Sequence, residues 1–522
     1  MPILRIDVIE GGSEAELKGL LNAIHRAMLA FRTGPYIGSV NVMNTTCRWH
    51  VFLIVTVAIC KIAAGQSVPP SPDRSWHFAV EHEVREEAKA LRVSRLAIDA
   101  TKSYSLAELV DFAERNNPET RVTWEGAKAR GAALHIAQSE LHPALAAIAL
   151  SQVYRQDVLF GSSFVRQTVA AFGPELQLDY TMFDFGARAG RIATARAELA
   201  AANFVFNDTH RKIIFQVADT YYRLLNAVGQ VEADEASLLN AKTVQEAAEN
   251  RLEHGLATLP DVLEARSATA QAEYDLQSAR GSEEIARGDL ATTLGISPTV
   301  SIRVQPLDEL PAPEMHDDSV EQLLARASEQ RPDLLQQLAG IKAAEGRVRE
   351  ARAAYYPSVK FGATVAGQPE YGWQQQLPAT QTTRLNGAAA VRIDWAIFDG
   401  GARKNNLLRA QASRDEAAAQ ARATMDQIAD EVWRSYSNVK TALRQRQAAT
   451  ALLEASSQSY NAAVEAYGYG VRNLLDVTAA QQTLAHARSA DVAARTTVLD
   501  ALADLAFRTG DLVRMGGSKE HP

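Results

Sequence analysis

The chain has 522 residues, 47% of them hydrophobic and 22% charged, a length that would allow three or four ordinary globular domains. Lys+Arg number 54 against 62 Asp+Glu, for a net charge of −8, which excludes a broad basic surface for nucleic acid. The two cysteines, Cys47 and Cys60, both sit near the start. The remainder therefore has no disulfide framework, no cysteine-based zinc site and no thiol nucleophile.

The most apolar run, Val51 to Ile59, follows Arg48 and precedes Ala63-Ala64-Gly65. It is too short to span a bilayer as a helix, which takes about 20 residues. A basic flank, a short apolar core and small residues ahead of Gln66 read instead as a secretory signal peptide over 43–65. Signal peptides begin at the chain start, so Met43 is expected to be the initiator and 1–42 a misassigned upstream segment. Lipidation at Cys60 is the rival reading, against which stands the bulky Ile59 before it. On either reading the mature chain is exported and carries no transmembrane helix. It continues as a polar lead-in over 66–103.

The mature chain then repeats itself, which decides the architecture before any single motif does. Asn117-Pro118-Glu119 recurs as Arg331-Pro332-Asp333, and Leu141-His142-Pro143 as Tyr355-Tyr356-Pro357. Phe183-Asp184-Phe185-Gly186 recurs as Phe398-Asp399-Gly400-Gly401, Tyr221 as Tyr436, Gly255 with Asp261 as Gly470 with Asp476, and Gly295 as Gly510. Constant order and spacing give two homologous units, 104–297 and 319–511, with a Pro-rich and Asp-rich linker at 298–318 and a tail at 512–522.

Each unit opens with a predicted helix, Ser105 to Leu141 or Ser319 to Tyr355, closed by Pro143 or Pro357, where a strand starts. Alternation follows. In the second unit Val359, Phe361, Ala363 and Val365 share one face, then Val391, Ile393, Trp395 and Ile397. In the first it is weak before Pro174 and clear after it, at Leu176, Leu178, Tyr180 and Met182. These are two hairpins, four strands in all. Strand gives way to helix at Phe183-Asp184 with Gly186, and at Phe398-Asp399 with Gly401. From Gly186 to Gly255 the positions Ile214, Val217, Tyr221, Leu224, Val228 and Val231 keep a coiled-coil rhythm, in a helix of roughly 105 Å. Gly255 and Gly470 suit chain reversals, and Pro260 and Asp261 suit the first turn of a return helix. The opening and return helices end to end match the long helix in length. The outcome is a helical rod with hairpins at one end and tight turns at the other.

Four strands with open edges cannot stand alone in lipid, where only a closed barrel pairs every backbone group. Assembly is implied, with eight strands from two chains or twelve from three.

The doubled order, proline-led hairpins, Phe-Asp-x-Gly turns and tip segments Arg251-Leu252-Glu253-His254-Gly255 through Asp261-Val262-Leu263 resemble the TolC family of outer membrane efflux proteins. The resemblance covers about residues 104–511. It implies a mainly α fold with a β-barrel part: a homotrimer with a 12-stranded barrel in outer membrane lipid of a Gram-negative bacterium and a coiled-coil α-helical barrel crossing the periplasm. It also implies partnership with a periplasmic adaptor protein and an inner membrane transporter, and passive conduction in efflux or type I secretion. In the segment Tyr467 to Asp476, the resemblance gives Asp476 the ring of carboxylates at the periplasmic aperture and Arg472 a link that holds it closed. Where some members carry a second aspartate this chain has Ala479, which implies a weaker cation block. Gly255, Pro260, Asp261, Gly470 and Leu474 become the tips that dock the adaptor.

No His-Glu-x-x-His, Gly-x-Ser-x-Gly or Walker-type loop is present, so no enzyme, cofactor or metal site is expected. The competing reading is a soluble periplasmic coiled-coil scaffold or adaptor-like protein, which explains the heptads and leaves the matched hairpins without a purpose.

Overall fold

A computed structural model of the protein describes residues 84–88, 98–99, 102–309, 318–374 and 380–511. The segment 1–42, the expected signal peptide over 43–65, both cysteines, most of the lead-in and the tail 512–522 lie outside the described residues. The chain divides into two compact units, Met1–Ser94 and Arg95–Pro522. Of the first, residues 84–88 form a helical turn. The rest concerns the second.

Its elements run β1 (Ser103–Tyr104), α1 (Leu106–Asn116), α2 (Pro118–Ser139), β2 (Ala144–Phe160), β3 (Ser163–Phe183), α3 (Ala187–Glu253) and α4 (Leu259–Thr293). The linker carries β4 (Arg303–Val304), and the second copy follows as α5 (Val320–Gln330), α6 (Pro332–Ala353), β5 (Ser358–Gln374), β6 (Thr380–Asp394), α7 (Ala402–Gly468) and α8 (Leu474–Thr509). Strands β1 and β4 pair in parallel, tying the start of the first copy to the linker.

The expectation of one opening helix per copy is corrected. Pro118 and Pro332 each stand at the first helical position of a new helix, and the residues before them, Asn117 and Arg331, are extended. A proline disfavours helical backbone in the residue ahead of it, so the same sequence signal breaks both copies. Helices α1 and α5 begin with capping boxes, Ser105 with Glu108 and Ser319 with Gln322. Only α2 and α6 therefore stack in line with the return helices.

The long helices α3 and α7 have 67 residues each, about 100 Å. Their heptad positions are the seam: Val217 and Tyr221 are fully buried, with Ile214, Leu224 and Val231 beside them. Nearer the sheet, α2, α3, α6 and α7 pack side by side in that order, and nearer the tips the order is α4, α3, α8, α7. The α3–α6 crossing is close enough to require glycine. A Cβ at Gly346 would stand 2.4 Å from Thr194 Oγ1 and 2.9 Å from the carbonyl of Gly190, and one at Gly190 would stand 2.7 Å from the amide of Glu350.

The sheet order is β2-β3-β5-β6, antiparallel throughout, so the central pair joins the two copies and the outer edges of β2 and β6 are open within one chain. The first hairpin turns at Gly161, and Pro174, which separates weak from clear alternation in the sequence, lies inside β3 opposite Ala149. The β3–β5 ladder has no pairs between Ala171 and Glu175, which spares the proline a hydrogen bond it cannot donate. Strand β6 ends at Asp394, so Trp395 and Ile397 belong to the connection that follows. Register places Leu145, Leu176, Leu178, Tyr180, Phe361, Val365, Val391 and Ile393 on one face. The opposite face carries Gln177, Asp179, Thr181, Lys360, Thr364 and Arg392.

Replacing Gly346 by alanine forces α3 and α6 apart at a backbone contact. The expected cost is about 1–3 kcal/mol, read as a lowered thermal midpoint. Alanine at Gly340, inside the same helix with open space around it, serves as the control and leaves the midpoint unchanged or raises it through the better helix propensity of alanine.

Candidate functional site

Three levels of the rod carry polar or exposed groups that packing alone does not explain. At the sheet, each strand-to-helix elbow is built by an aspartate and an arginine. Asp184 accepts from the amides of Gly186 and Arg188 and from Arg188 Nε at 3.0 Å; Asp399 accepts from the amides of Gly401 and Arg403 and from Arg403 Nε at 2.7 Å. The amide of Arg403, with its side chain, holds the Asp399 carboxyl below the ordinary carboxylate range. Gly186 and Gly401 take φ of 101° and 90°, where a side chain would be strained. Phe185 also has positive φ, and its ring stacks on Tyr356 at 5.3 Å and meets Phe183 edge-on. Arg188 and Arg403 were missed in the sequence, although both follow the glycine in matching Gly-Ala-Arg triplets. Around the elbows Phe183, Tyr356, Trp395, Ile397 and Phe398 are exposed, an aromatic border beneath the apolar face. Tyr371 and Trp373, farther along β5, lie on that same face, whereas Phe160 lies on the opposite one.

Midway, a buried ion network joins the two copies. Arg211, 1% exposed, binds Asp208 at 2.6 Å and the carbonyl of Phe507, with its guanidinium 4.3 Å over the Phe507 ring. Arg331, just ahead of the Pro332 break, binds Asp333 at 2.6 Å and Glu431 at 2.7 Å, and Arg508 completes the chain to Glu431 and Asp504. Burial opposes the charges of Asp333 and Glu431, yet Arg331 keeps both carboxyls below the usual range. Asp500, near by on α8, has no such partner: its Oδ1 is buried without a hydrogen bond. Burial, with repulsion from Asp219 and Asp504, pushes it up to about 6, against a smaller pull from Arg223.

At the tips, α3 and α7 end in the same reversal. Gly255 (φ 69°) and Gly470 (φ 74°) follow the last helical turns, and the amides of Leu256 and Val471 close back onto the carbonyls of Arg251 and Ala466. Thr258 and Asp261 form a capping box for α4 with Pro260 in its first turn; hydrogen bonds from Thr258 hold the Asp261 carboxyl below its ordinary value. Asn473 caps α8 by accepting from the amide of Asp476. Among the described residues the side chains of Arg472 and Asp476 make no hydrogen bond or ion pair within the chain. Ala479 is exposed one turn further on. Leu474 is not a surface residue: it is 2% exposed, in a core with Val244, Val262, Tyr467 and Val477 that joins the two tips. The apolar groups at the surface are Leu256, Leu259, Leu263, Tyr469, Val471 and Leu475.

Among the described residues no helix is long and apolar enough to cross a membrane, and no group of three or more His, Cys, Asp or Glu could hold a metal ion. The family model for outer membrane efflux proteins matches residues 109–296 and again 323–511. The chain belongs to the outer membrane efflux protein family. It is 27% identical over 321 residues to protein CyaE of Bordetella pertussis, covering 61% of this chain and 66% of that one, just under two thirds. It is 23% identical over 441 residues to outer membrane protein OprJ of Pseudomonas aeruginosa, covering 83% and 89%. Its fold matches the solved outer membrane protein VceC of Vibrio cholerae with a TM-score of 0.65 at 22% identity, over 78% of this chain and 96% of that one. As a member of this family the protein is an outer membrane efflux channel of a Gram-negative cell that extends into the periplasm. The family consists of channels and not enzymes.

An acid whose pKa is higher folded than unfolded binds its proton more tightly when folded, so its contribution to stability falls as pH rises through that interval. For Asp500 the interval runs from the ordinary 3.8 to about 6. Asp500→Asn is expected to remove that loss and to be more stable than the wild type at neutral pH. Thermal midpoints of the two proteins that fall in parallel across the interval would contradict the assignment.

Proposed function

We propose that three copies close into one duct, with a 12-stranded barrel in outer membrane lipid above a helical barrel in the periplasm. The observation that carries this is a sheet with one apolar face and two open edges, set on helical layers that are open at the same two sides. The β2, α2 and α4 side of one copy meets the β6 and α7 side of the next, a head-to-tail contact that closes by rotation. The apolar face then points to lipid and the face with Asp179, Lys360 and Arg392 to the lumen. Such a duct does no work of its own. An inner membrane transporter supplies the energy, and a periplasmic adaptor bridges it to the tips.

At the periplasmic mouth three Asp476 carboxylates ring the aperture and three Arg472 side chains, free of partners within their own chain, link neighbouring subunits in the closed state. Like charges round a narrow opening repel one another and attract cations. With Ala479 in place of a second ring the cation block is weaker than in relatives that carry both. The reversals at Gly255 and Gly470 present the adaptor with Leu256, Leu259, Val471 and Leu475, while Pro260 and Asp261 shape the first tip and Leu474 supports it from within. A soluble scaffold would leave the apolar sheet face in water, a patch well beyond what a soluble protein keeps.

In planar bilayers the wild-type channel is expected to favour cations, and Asp476→Asn to lower the cation-to-anion permeability ratio toward one. A ratio unchanged by the substitution would remove Asp476 from the aperture.

A further inference from the structure

The apolar face of the sheet ends abruptly, and the residues beyond it are charged. Register aligns Tyr180, Phe361 and Val391 in one row near the elbows, and Ala170, Tyr371 and Gln381 in another toward the hairpin ends. Ten positions of β3 separate the two rows, about 25 Å along the membrane normal at an ordinary strand tilt, which is the height of a barrel's apolar band. Between them, among the described residues, register puts no charged residue on this face; β3, for example, contributes Leu178, Leu176, Pro174 and Phe172. Tyr371 and Trp373 mark the outer border. The hydroxyl of Tyr371 accepts from Gln381 Nε2 at 3.1 Å, a polar tip at the edge of lipid.

The next row outward joins Trp373, Thr168 and Arg155, and the pair after it sets Asp157 opposite Arg166. Strands β2 and β3 turn at Gly161, on the side away from the helices, so these side chains stand at the level of the outer leaflet's headgroups. Arg155 Nε donates to Thr168 Oγ1 at 3.1 Å and, among the described residues, forms no ion pair. Arg166 approaches Asp157 only to 3.9 Å, with both side chains 65% exposed. Two cations therefore face one loosely held carboxylate. Cross-strand diagonal neighbours such as Arg155 and Arg166 lie about 7–8 Å apart at the backbone, close enough for two guanidinium groups to converge on one anion. A guanidinium binds phosphate through two parallel hydrogen bonds, and the repulsion between the arginines falls when an anion sits between them. An arginine is costly in hydrocarbon, so its first appearance just past the aromatic border matches an anionic headgroup and not the acyl chains. Leu159 and Phe164, exposed one pair further out, bound the cationic stripe on its far side.

We propose that Arg155 and Arg166 form an interfacial site for the phosphate of a glycolipid headgroup in the outer leaflet, repeated in each copy round the closed barrel. Its acyl chains run over Phe172 and Leu176, and its sugar meets the face of Trp373. The inference rests on the duct reading, which turns this side of the sheet to lipid, and adds to it a lipid held by charge at a fixed place.

The test uses the full-length channel, freed of lipid in detergent and titrated with diphosphorylated lipid A while native mass measurement counts the lipid bound. The paired substitution Arg155→Gln with Arg166→Gln is expected to weaken the affinity about tenfold or more, while Arg392→Gln, which removes the same charge from the opposite face, leaves it unchanged. Lipid A stripped of its phosphates should bind the wild type no better than the phosphorylated form binds the paired variant. Equal affinity of wild type and paired variant would overturn the site, and so would equal affinity for the two lipids. Inorganic phosphate that binds the wild type as tightly as the lipid does would overturn the assignment to a headgroup. If the paired variant does not assemble, Arg155→Gln alone must weaken binding about threefold, and an unchanged affinity overturns the proposal. A protein that takes up neither lipid and is found outside the membrane fraction would overturn the duct reading itself, and the site with it.

Discussion

A β-strand edge presents a row of unpaired amides and carbonyls, and in hydrocarbon each of them must find a partner. The sheet here has two such edges, on β2 and β6, and one face made of leucine, valine, isoleucine and aromatic side chains. Those two facts shape everything beneath them. They require further copies to close the sheet, they set which face meets lipid, and they oblige the helices to be arranged with the same open sides. The elbows transmit that arrangement. Asp184 with Arg188 and Asp399 with Arg403 fix the angle at which strand becomes helix, so that each long helix continues the wall the strand began.

The long helices then need fastening along about 100 Å without a globular core. Near the sheet the fastening is close backbone contact through Gly190 and Gly346. At mid-height it is ionic: Arg211 and Arg331 hold groups from α3, α6, α7 and α8 at the point where the Pro332 break admits them. A buried charge left without its partner is strongly destabilising, so this joint resists separation more than it adds to net stability. Toward the tips it is an apolar core that includes Val244, Val262, Tyr467, Leu474 and Val477, together with the bonds of Arg251 to the carbonyls of Tyr467 and Gly468.

Much of this was legible in the residues. The repeat in order and spacing gave both copies, heptad steps such as Val217 to Tyr221 marked the buried seam, and glycine positions marked the reversals. The break at Pro118 and Pro332 was visible as a repeated motif but submerged in a continuous helical pattern, because one residue of extended backbone barely disturbs a 3.6-residue period. The turn at Gly161 was hidden because Pro174 looks like a stronger punctuation mark, and only the missing ladder pairs reveal how a central strand tolerates it. Leu474 read as a tip residue by its place in the motif, yet helix phase turns it inward and leaves Leu475 outside. The ion network and the Arg251 contact unite residues far apart in the chain, such as Arg211 with Phe507 and Arg251 with Tyr467, and no local pattern announces such pairs.

The central claim is that three copies of this chain close one another's sheet edges. Native mass measurement of the channel extracted from outer membranes tests it most directly. A complex of three chains that collapses to one chain on heating is the result this account predicts. A complex of one or two chains, stable in the membrane fraction, would contradict it.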